Sequence, residues 1–150
     1  MVNKINFIER DLTKEELESI WEGFKENEIL HTQVHQTSDR IGFVAVDEDV
    51  VIGCSTGLAY KNGESYNGWF YLTDLYMDKN YRGQGHGKTI LLKLEEKLTT
   101  LGITQIYTWT AGFEAPKFYM KLGYEQFAEL ENYYHGGYSR FGMRKTLKKN

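Results

Sequence analysis

Among 150 residues there is one cysteine and one proline. Cys54 has no internal partner, so no disulfide framework holds the chain and nothing points to an oxidising compartment. It ends the apolar run Val50–Cys54 and is expected in the core rather than as a nucleophile. With Pro116 as the single proline there is no proline-rich linker, and the sequence carries no repeat and no low-complexity tract. No apolar run approaches the roughly 20 residues that span a membrane. Met1-Val2-Asn3-Lys4 leads into no apolar leader core, so a cytoplasmic protein without membrane contact is expected. Basic charge is also scarce. Lys and Arg number 18 against 21 Asp and Glu, a net charge of −3, which does not suit a nucleic-acid surface.

What is present is a chain the length of one ordinary domain, expected to be a single domain over 1–150. A domain of this size buries roughly 70% of its unfolded surface, enough for a core without a staple. It is rich in tyrosine, 11 residues, with three tryptophans. The aromatic set Tyr66, Trp69, Tyr133 and Tyr134, with the mild acidity, suits a cationic amine ligand.

Hydropathy patterning orders the elements. Val2–Ile8 reads as a first strand. Thr13-Lys14-Glu15-Glu16 is a capping box. Leu17, Ile20, Trp21 and Phe24 follow at i, i+3, i+4, i+7 and predict an amphipathic helix. Leu30–Asp39 is polar and suggests a short helix bordering a substrate site. Ile41–Val46 and Val50–Tyr60 are strands joined by Asp47-Glu48-Asp49, and Asn62-Gly63 signals a type I′ turn into a long strand, Ser65–Met77. After a glycine-rich loop, Ile90, Leu91, Leu94, Leu98 and Leu101 mark a second helix closed by Gly102. Ile103–Thr110 is a strand. Ala115–Leu122 is a short helix begun by Pro116 and stopped by Gly123. Tyr124–Leu130 and Ser139–Thr146 are final strands, and the basic tail Arg144–Lys149 is expected to fray at its end. The order βα–βββ–α–β–α–ββ predicts a mixed α/β (α+β) sandwich around one sheet.

The loop Tyr81-Arg82-Gly83-Gln84-Gly85-His86-Gly87-Lys88 lies between a strand and a helix. Alternate glycines let the backbone turn tightly against a ligand. The helix behind them offers unpaired N–H groups and a positive dipole end, an anion site suited to a pyrophosphate. The nucleoside-triphosphate loop G-x-x-x-x-G-K-[ST] fails because Arg82 stands where its first glycine must be. The dinucleotide fingerprint G-x-G-x-x-G fails because Lys88 stands at its last glycine.

A third pattern fits. Arg82-Gly83-Gln84-Gly85-His86-Gly87 matches [QR]-x-x-G-x-[GA] and resembles the acyl-CoA pyrophosphate loop of the GNAT superfamily of N-acetyltransferases. Tyr71–Met77 resembles the strand before that loop. Ala115-Pro116-Lys117-Phe118-Tyr119-Met120-Lys121-Leu122-Gly123-Tyr124 resembles its second motif, A-x-x-F-Y-x-K-x-G-[FY]. The resemblance runs from about Gly42 to Thr146, and the first 40 or so residues carry little of it. It implies a mostly antiparallel mixed sheet with splayed central strands flanked by helices. It also implies acetyl-CoA as co-substrate and transfer of acetyl to a primary amine by direct attack in a ternary complex. Arg82, Gly83, Gln84, Gly85, His86, Gly87 and Lys88 would then hold the pyrophosphate, and Leu75, Tyr76 and Met77 the pantetheine arm. The Leu75 amide would face the carbonyl oxygen. Tyr119 would be the acid that protonates the thiolate, while Phe118 packs on the sheet.

Relatives carry a Glu or His base at positions matching Tyr71 or Thr73, and this sequence has neither. Alternation sends Asp74 to the opposite face, so proton removal through water held by Tyr71 and Thr73 is expected, with Glu64, Glu114 and His135 remote. His31 and His35 have a metal-like spacing, but no further ligand group stands near them in the sequence and no metal is expected. His86 is expected to point to solvent. The partner expected is a small-molecule amine, with a homodimer open. A lysine or N-terminal peptide acceptor, and an acyl-CoA sensor without chemistry, remain alternatives.

Overall fold

A computed structural model describes residues 4–148. The chain divides into two units that meet between His35 and Gln36. In the first, Thr13 caps helix α1 (Lys14–Leu30) and the capping box forms in full. The Glu16 amide donates to the Thr13 hydroxyl at 3.2 Å and the Thr13 amide to the Glu16 carboxylate at 2.8 Å. Arg10 locks the same carboxylate at 2.9 Å. Leu17, Ile20, Trp21 and Phe24 share one face, which nothing in this short unit covers. The strand expected over Val2–Ile8 is not there: Lys4–Ile8 adopt no regular structure, and Val2 and Asn3 lie outside the described residues, as does Lys149 of the basic tail.

The second unit is one six-stranded sheet. β1 (Gln36–Asp47), β2 (Val50–Asn62) and β3 (Ser65–Met77) form a meander, followed by helix α2 (His86–Thr100), β4 (Gln105–Ala111), helix α3 (Pro116–Lys121), β5 (Glu125–Leu130) and β6 (Arg140–Thr146). The strand order is β1-β2-β3-β4-β6-β5, antiparallel except for the β3–β4 pair. No short helix occupies Leu30–Asp39. α1 runs to Leu30 and β1 starts at Gln36, because a full hairpin ladder pairs Gln36–Asp39 with Ala59–Asn62. The β1–β2 turn puts Glu48 and Asp49 at φ 44° and 69°. The next turn is Gly63-Glu64 rather than Asn62-Gly63, since Asn62 pairs with Ser65, and only Gly63 takes a positive φ.

One face of the sheet builds the core. Phe70 and Leu72 of β3, Ile106 of β4 and Met143 of β6 pack with Leu91, Leu94 and Leu98 of α2 and with Tyr119 of α3. α2 ends as expected, with Gly102 at φ 75° just beyond its cap, and Gly123 at 91° ends α3. Behind the core, buried Glu95 of α2 accepts from the Tyr124 hydroxyl at 2.8 Å and from Lys145 at 2.6 Å. Cys54 is half-buried rather than in the core. Burial and the neighbouring Asp74 push its thiol pKa up, away from a reactive thiolate. Among the described residues no helix is long and apolar enough to cross a membrane.

Candidate active site

The two helix starts differ in a way that follows from sequence. α1 has a threonine cap that satisfies its first amides. α2 has Gly85, at φ 83°, which brings no side chain to its amides. The first intrahelical bond runs from Thr89 to Gly85 at 3.1 Å. The amides of His86, Gly87 and Lys88 therefore have no helical acceptor. They border a cavity of about 410 Å³ lined by Leu75, Tyr76, Met77, Arg82, Phe118 and the loop glycines, among others. A Cβ built on Gly83 or Gly85 meets nothing within 4 Å, and on Gly87 only Phe118 at 3.8 Å. The glycines thus leave open space where a phosphate can reach backbone amides. Arg82 is anchored by a bond from its Nε to the Met77 carbonyl at 2.8 Å. His86 is exposed, its ring 3.3 Å from Gln84 Oε1.

The cavity continues along β3. Parallel pairing with β4 covers only Trp69–Tyr71 against Gln105–Tyr107. Beyond it the strands part, and the Thr108 hydroxyl reaches across to the Leu72 carbonyl at 2.8 Å. Leu75, Tyr76 and Met77 stay paired with β2 through Ser55, Cys54 and Gly53, and have no partner on the β4 side. That edge can take an extended chain as another strand would.

Phe118 packs against the core cluster as expected of it, and Tyr119 lies deeper than expected. Phe118 lines the cavity, whereas Tyr119 is buried in the core cluster at 5% exposure. Helical geometry puts successive residues about 100° apart, so only one of the pair can face the cavity squarely. The Tyr119 hydroxyl lies by Thr108, where β3 and β4 part. Burial pushes its pKa up to about 12 against a smaller pull from Thr108.

Asp74 requires a second correction. Thr73 is an unpaired extra residue between the Leu72–Gly57 and Asp74–Thr56 pairs, a β-bulge. The bulge resets alternation, so Leu75 joins the core side and Asp74 the face that carries Tyr71. The Thr73 hydroxyl donates to Asp74 Oδ2 at 2.7 Å, with the Thr56 carbonyl at 3.2 Å as its other acceptor. Arg40 approaches Thr73 at 3.3 Å and Asp74 at 3.5 Å. Tyr71 stacks on Tyr107 at 4.8 Å beside them. No sequence signal marks the bulge, so Asp74 was not foreseeable on this face. Of the remote candidates, Glu64 lies in the β2–β3 turn and His135 in the loop before β6, both outside this cluster. His31 and His35 reach different partners, the Asn27 carbonyl at 2.9 Å and Glu28 at 3.7 Å.

A model of the acetyltransferase (GNAT) family matches residues 8–124. The chain belongs to that family. Among solved structures the fold matches an acetyltransferase from Bacillus cereus at TM-score 0.75, with 23% identity over 95% of this chain and 98% of that one. It matches an aminoglycoside 6′-N-acetyltransferase complexed with coenzyme A at TM-score 0.60, with 20% identity over 89% and 88%. The ribosomal-protein-S18-alanine N-acetyltransferase of Escherichia coli matches at TM-score 0.63, with 16% identity over 94% of each chain. No curated protein matches the sequence. Acetyl-CoA is the family's co-substrate.

Proposed function

We propose that this GNAT protein transfers acetyl from acetyl-CoA to a primary amine, by direct attack with both substrates bound. The observation that carries the reading is the continuity of two features: the uncapped amides of α2 and the unpaired edge of β3 border one cavity. The amides of Gly83–Lys88 would hold the pyrophosphate, with Arg82 beside them, and Leu75–Met77 the pantetheine arm. The Leu75 amide would meet negative charge developing on the carbonyl oxygen. The amine reaches the carbonyl carbon from the face bearing Tyr71, Thr73 and Asp74. The N–C bond forms as the C–S bond breaks. The ammonium proton, held in water with a pKa of about 10.4, passes to Asp74 and then to solvent. Tyr119 gives its proton to the sulfur, and the second N–H proton, released as the tetrahedral adduct collapses to the amide, restores the Tyr119 phenol through water. A phenol near pKa 12 stays protonated throughout the neutral range and can still donate to a thiolate as it forms.

Solved structures of this fold include enzymes named for aminoglycoside and for protein acceptors, so the acceptor is read from this chain's own surface. The test is thermal unfolding with millimolar acetyl-CoA, ATP or NAD. Acetyl-CoA should raise Tm by several degrees through binding the folded state, about 2.7 kcal/mol at a hundredfold excess over Kd, and ATP and NAD much less. An equal or larger shift with ATP or NAD overturns the assignment. An acyl-CoA sensor would give the same shift with no thiol release against any amine.

A further inference from the structure

Three of the four aromatic residues that suggested a cationic ligand, Tyr66, Trp69 and Tyr133, already hold cations of this chain, and Tyr134 packs on Phe113 and Tyr133. The Arg144 guanidinium lies 5.0 Å over the Trp69 ring, Arg140 lies 5.0 Å over Trp109 and 5.2 Å over Tyr133, and Lys61 lies 5.8 Å over Tyr66. Lys61 has Asp39 at 3.5 Å to balance it. The two arginines have no such balance. Among the described residues no carboxylate comes within ion-pair distance of either, Glu125 opposite Arg144 on β5 included. Arg144 has only the neutral Gln105 amide oxygen at 3.3 Å, and Arg140 the Tyr133 hydroxyl at 3.0 Å. The Nε of Arg140 is buried and bonds nothing. Arg144 also lines a recess of about 240 Å³ whose other walls are Trp69, Tyr107, Trp109 and Phe127. This recess opens on the sheet face that carries Tyr71 and Asp74, since Tyr71, Tyr107 and Arg144 stand opposite one another on β3, β4 and β6.

We infer that the acceptor is an amine carrying a carboxylate at its far end, with the amine at the Thr73–Asp74 bulge and the carboxylate on Arg144 at the recess. This rests on the acetyl-transfer reading above. A polycation meets two unneutralised guanidiniums on rings it would need, whereas a carboxylate supplies the missing partner in the bidentate geometry that arginine favours. The apolar walls of the recess then cover the acceptor's middle. The span is set by the strands. At Tyr71, where β3 and β4 are still paired, β6 lies two strand spacings away, about 10 Å, and Trp69 lies four residues back from Thr73 along β3, about 13 Å. A single α-amino acid is too short to bridge this. An extended peptide with a carboxylate at its third or fourth residue reaches it, at about 3.3–3.6 Å per residue, as does a long ω-amino acid.

The experiment compares acceptors of matched length: ω-amino carboxylates, the corresponding diamines and amino amides, and tetrapeptides ending in a free carboxylate or a carboxamide. Acetyl transfer is followed by thiol release, and binding by quenching of tryptophan fluorescence in the presence of CoA. Carboxylates should exceed diamines in kcat/KM by about tenfold or more, as expected for a hydrogen-bonded charge. Arg144→Gln should raise KM for carboxylates by a similar factor, leaving kcat and the diamine KM near wild type. Arg144→Lys should fall between. Unchanged acetyl-CoA affinity verifies the fold of each variant. Peptide against ω-amino acid identifies the source of the carboxylate. Diamines equal to or better than carboxylates overturn the inference while leaving acetyl transfer intact. So does a KM rise that ignores the carboxylate, or no quenching by any member. Carboxylate binding that Arg144→Gln abolishes, without turnover of any amine, removes acetyl transfer and with it the acceptor assignment, leaving a carboxylate-binding recess alone.

Discussion

The three alternate glycines of the loop do different work. Gly83 and Gly85 sit at φ 76° and 83°, where any other residue costs about 1–2 kcal/mol. Gly87 lies inside α2 with ordinary helical φ, and a Cβ there meets only Phe118, at 3.8 Å. Position 87 therefore lacks a side chain for the ligand's sake and not the backbone's. Gly87→Val should keep Tm near wild type and lower acetyl-CoA affinity at least about tenfold by filling the anion's space. Calorimetric titration of the folded variant decides this, and wild-type affinity would place the pyrophosphate elsewhere. Tyr119 makes a complementary case. Tyr119→Phe removes only the hydroxyl that reaches toward Thr108, so the core ring stays. kcat should fall by about 10²-fold with acetyl-CoA affinity unchanged. A wild-type kcat would mean the thiolate leaves without this phenol. The glycine loop before α2 was legible in the sequence because it is a local pattern, and Tyr119 was singled out from a family motif. The depth at which Tyr119 lies was not legible, because it depends on how α3 is turned against the sheet.

At the level of elements, the readable features were those written in neighbouring residues. The Thr13–Glu16 capping box, the Gly102 and Gly123 stops and Pro116 at a helix start all formed where their chemistry predicts. The misread features were set by partners far along the chain. Gln36–Asp39 joins β1 because β2 offers a ladder, and Thr73 bulges because β2 and β3 shift register there. One unpaired residue moved Asp74 across the sheet, and with it the assignment of the base. Asp74→Asn keeps the shape and can still accept from the Thr73 hydroxyl, but it cannot hold a proton. Its kcat with a working acceptor should fall by about 10²-fold, within the range for a positioned base, while acetyl-CoA binding is unchanged. An unaltered kcat would return proton removal to water held by Tyr71 and Thr73.

On the scale of the whole molecule, the tyrosines that fill the core also set its response to alkali. Tyr119 is 5% exposed with its pKa raised to about 12, mainly by burial. Tyr124, 3% exposed, is raised further by burial and by Glu95, to which it donates. In the unfolded chain both titrate near 10. The folded pKa lies above the unfolded one, so the stabilisation is complete below pH 10 and declines as pH rises. Between pH 10 and 12 the folded state keeps two protons that the unfolded state has lost. Stability should then fall by about 1.4 kcal/mol per pH unit for each, near 2.7 together. Against a typical total of about 5–15 kcal/mol, two pH units remove a large share, and cooperative unfolding should appear near pH 12. Urea unfolding at pH 9, 10, 11 and 12 measures the slope. Tyr119→Phe and Tyr124→Phe should each lower the slope by about 1.4 kcal/mol per pH unit, whatever they cost at pH 9, because a phenylalanine has no proton to keep. Half-buried Tyr107, whose hydroxyl is also pushed up by burial and by Tyr60, contributes to what remains. A stability that stays level from pH 10 to 12 would show that these hydroxyls ionise in the folded protein as freely as in water.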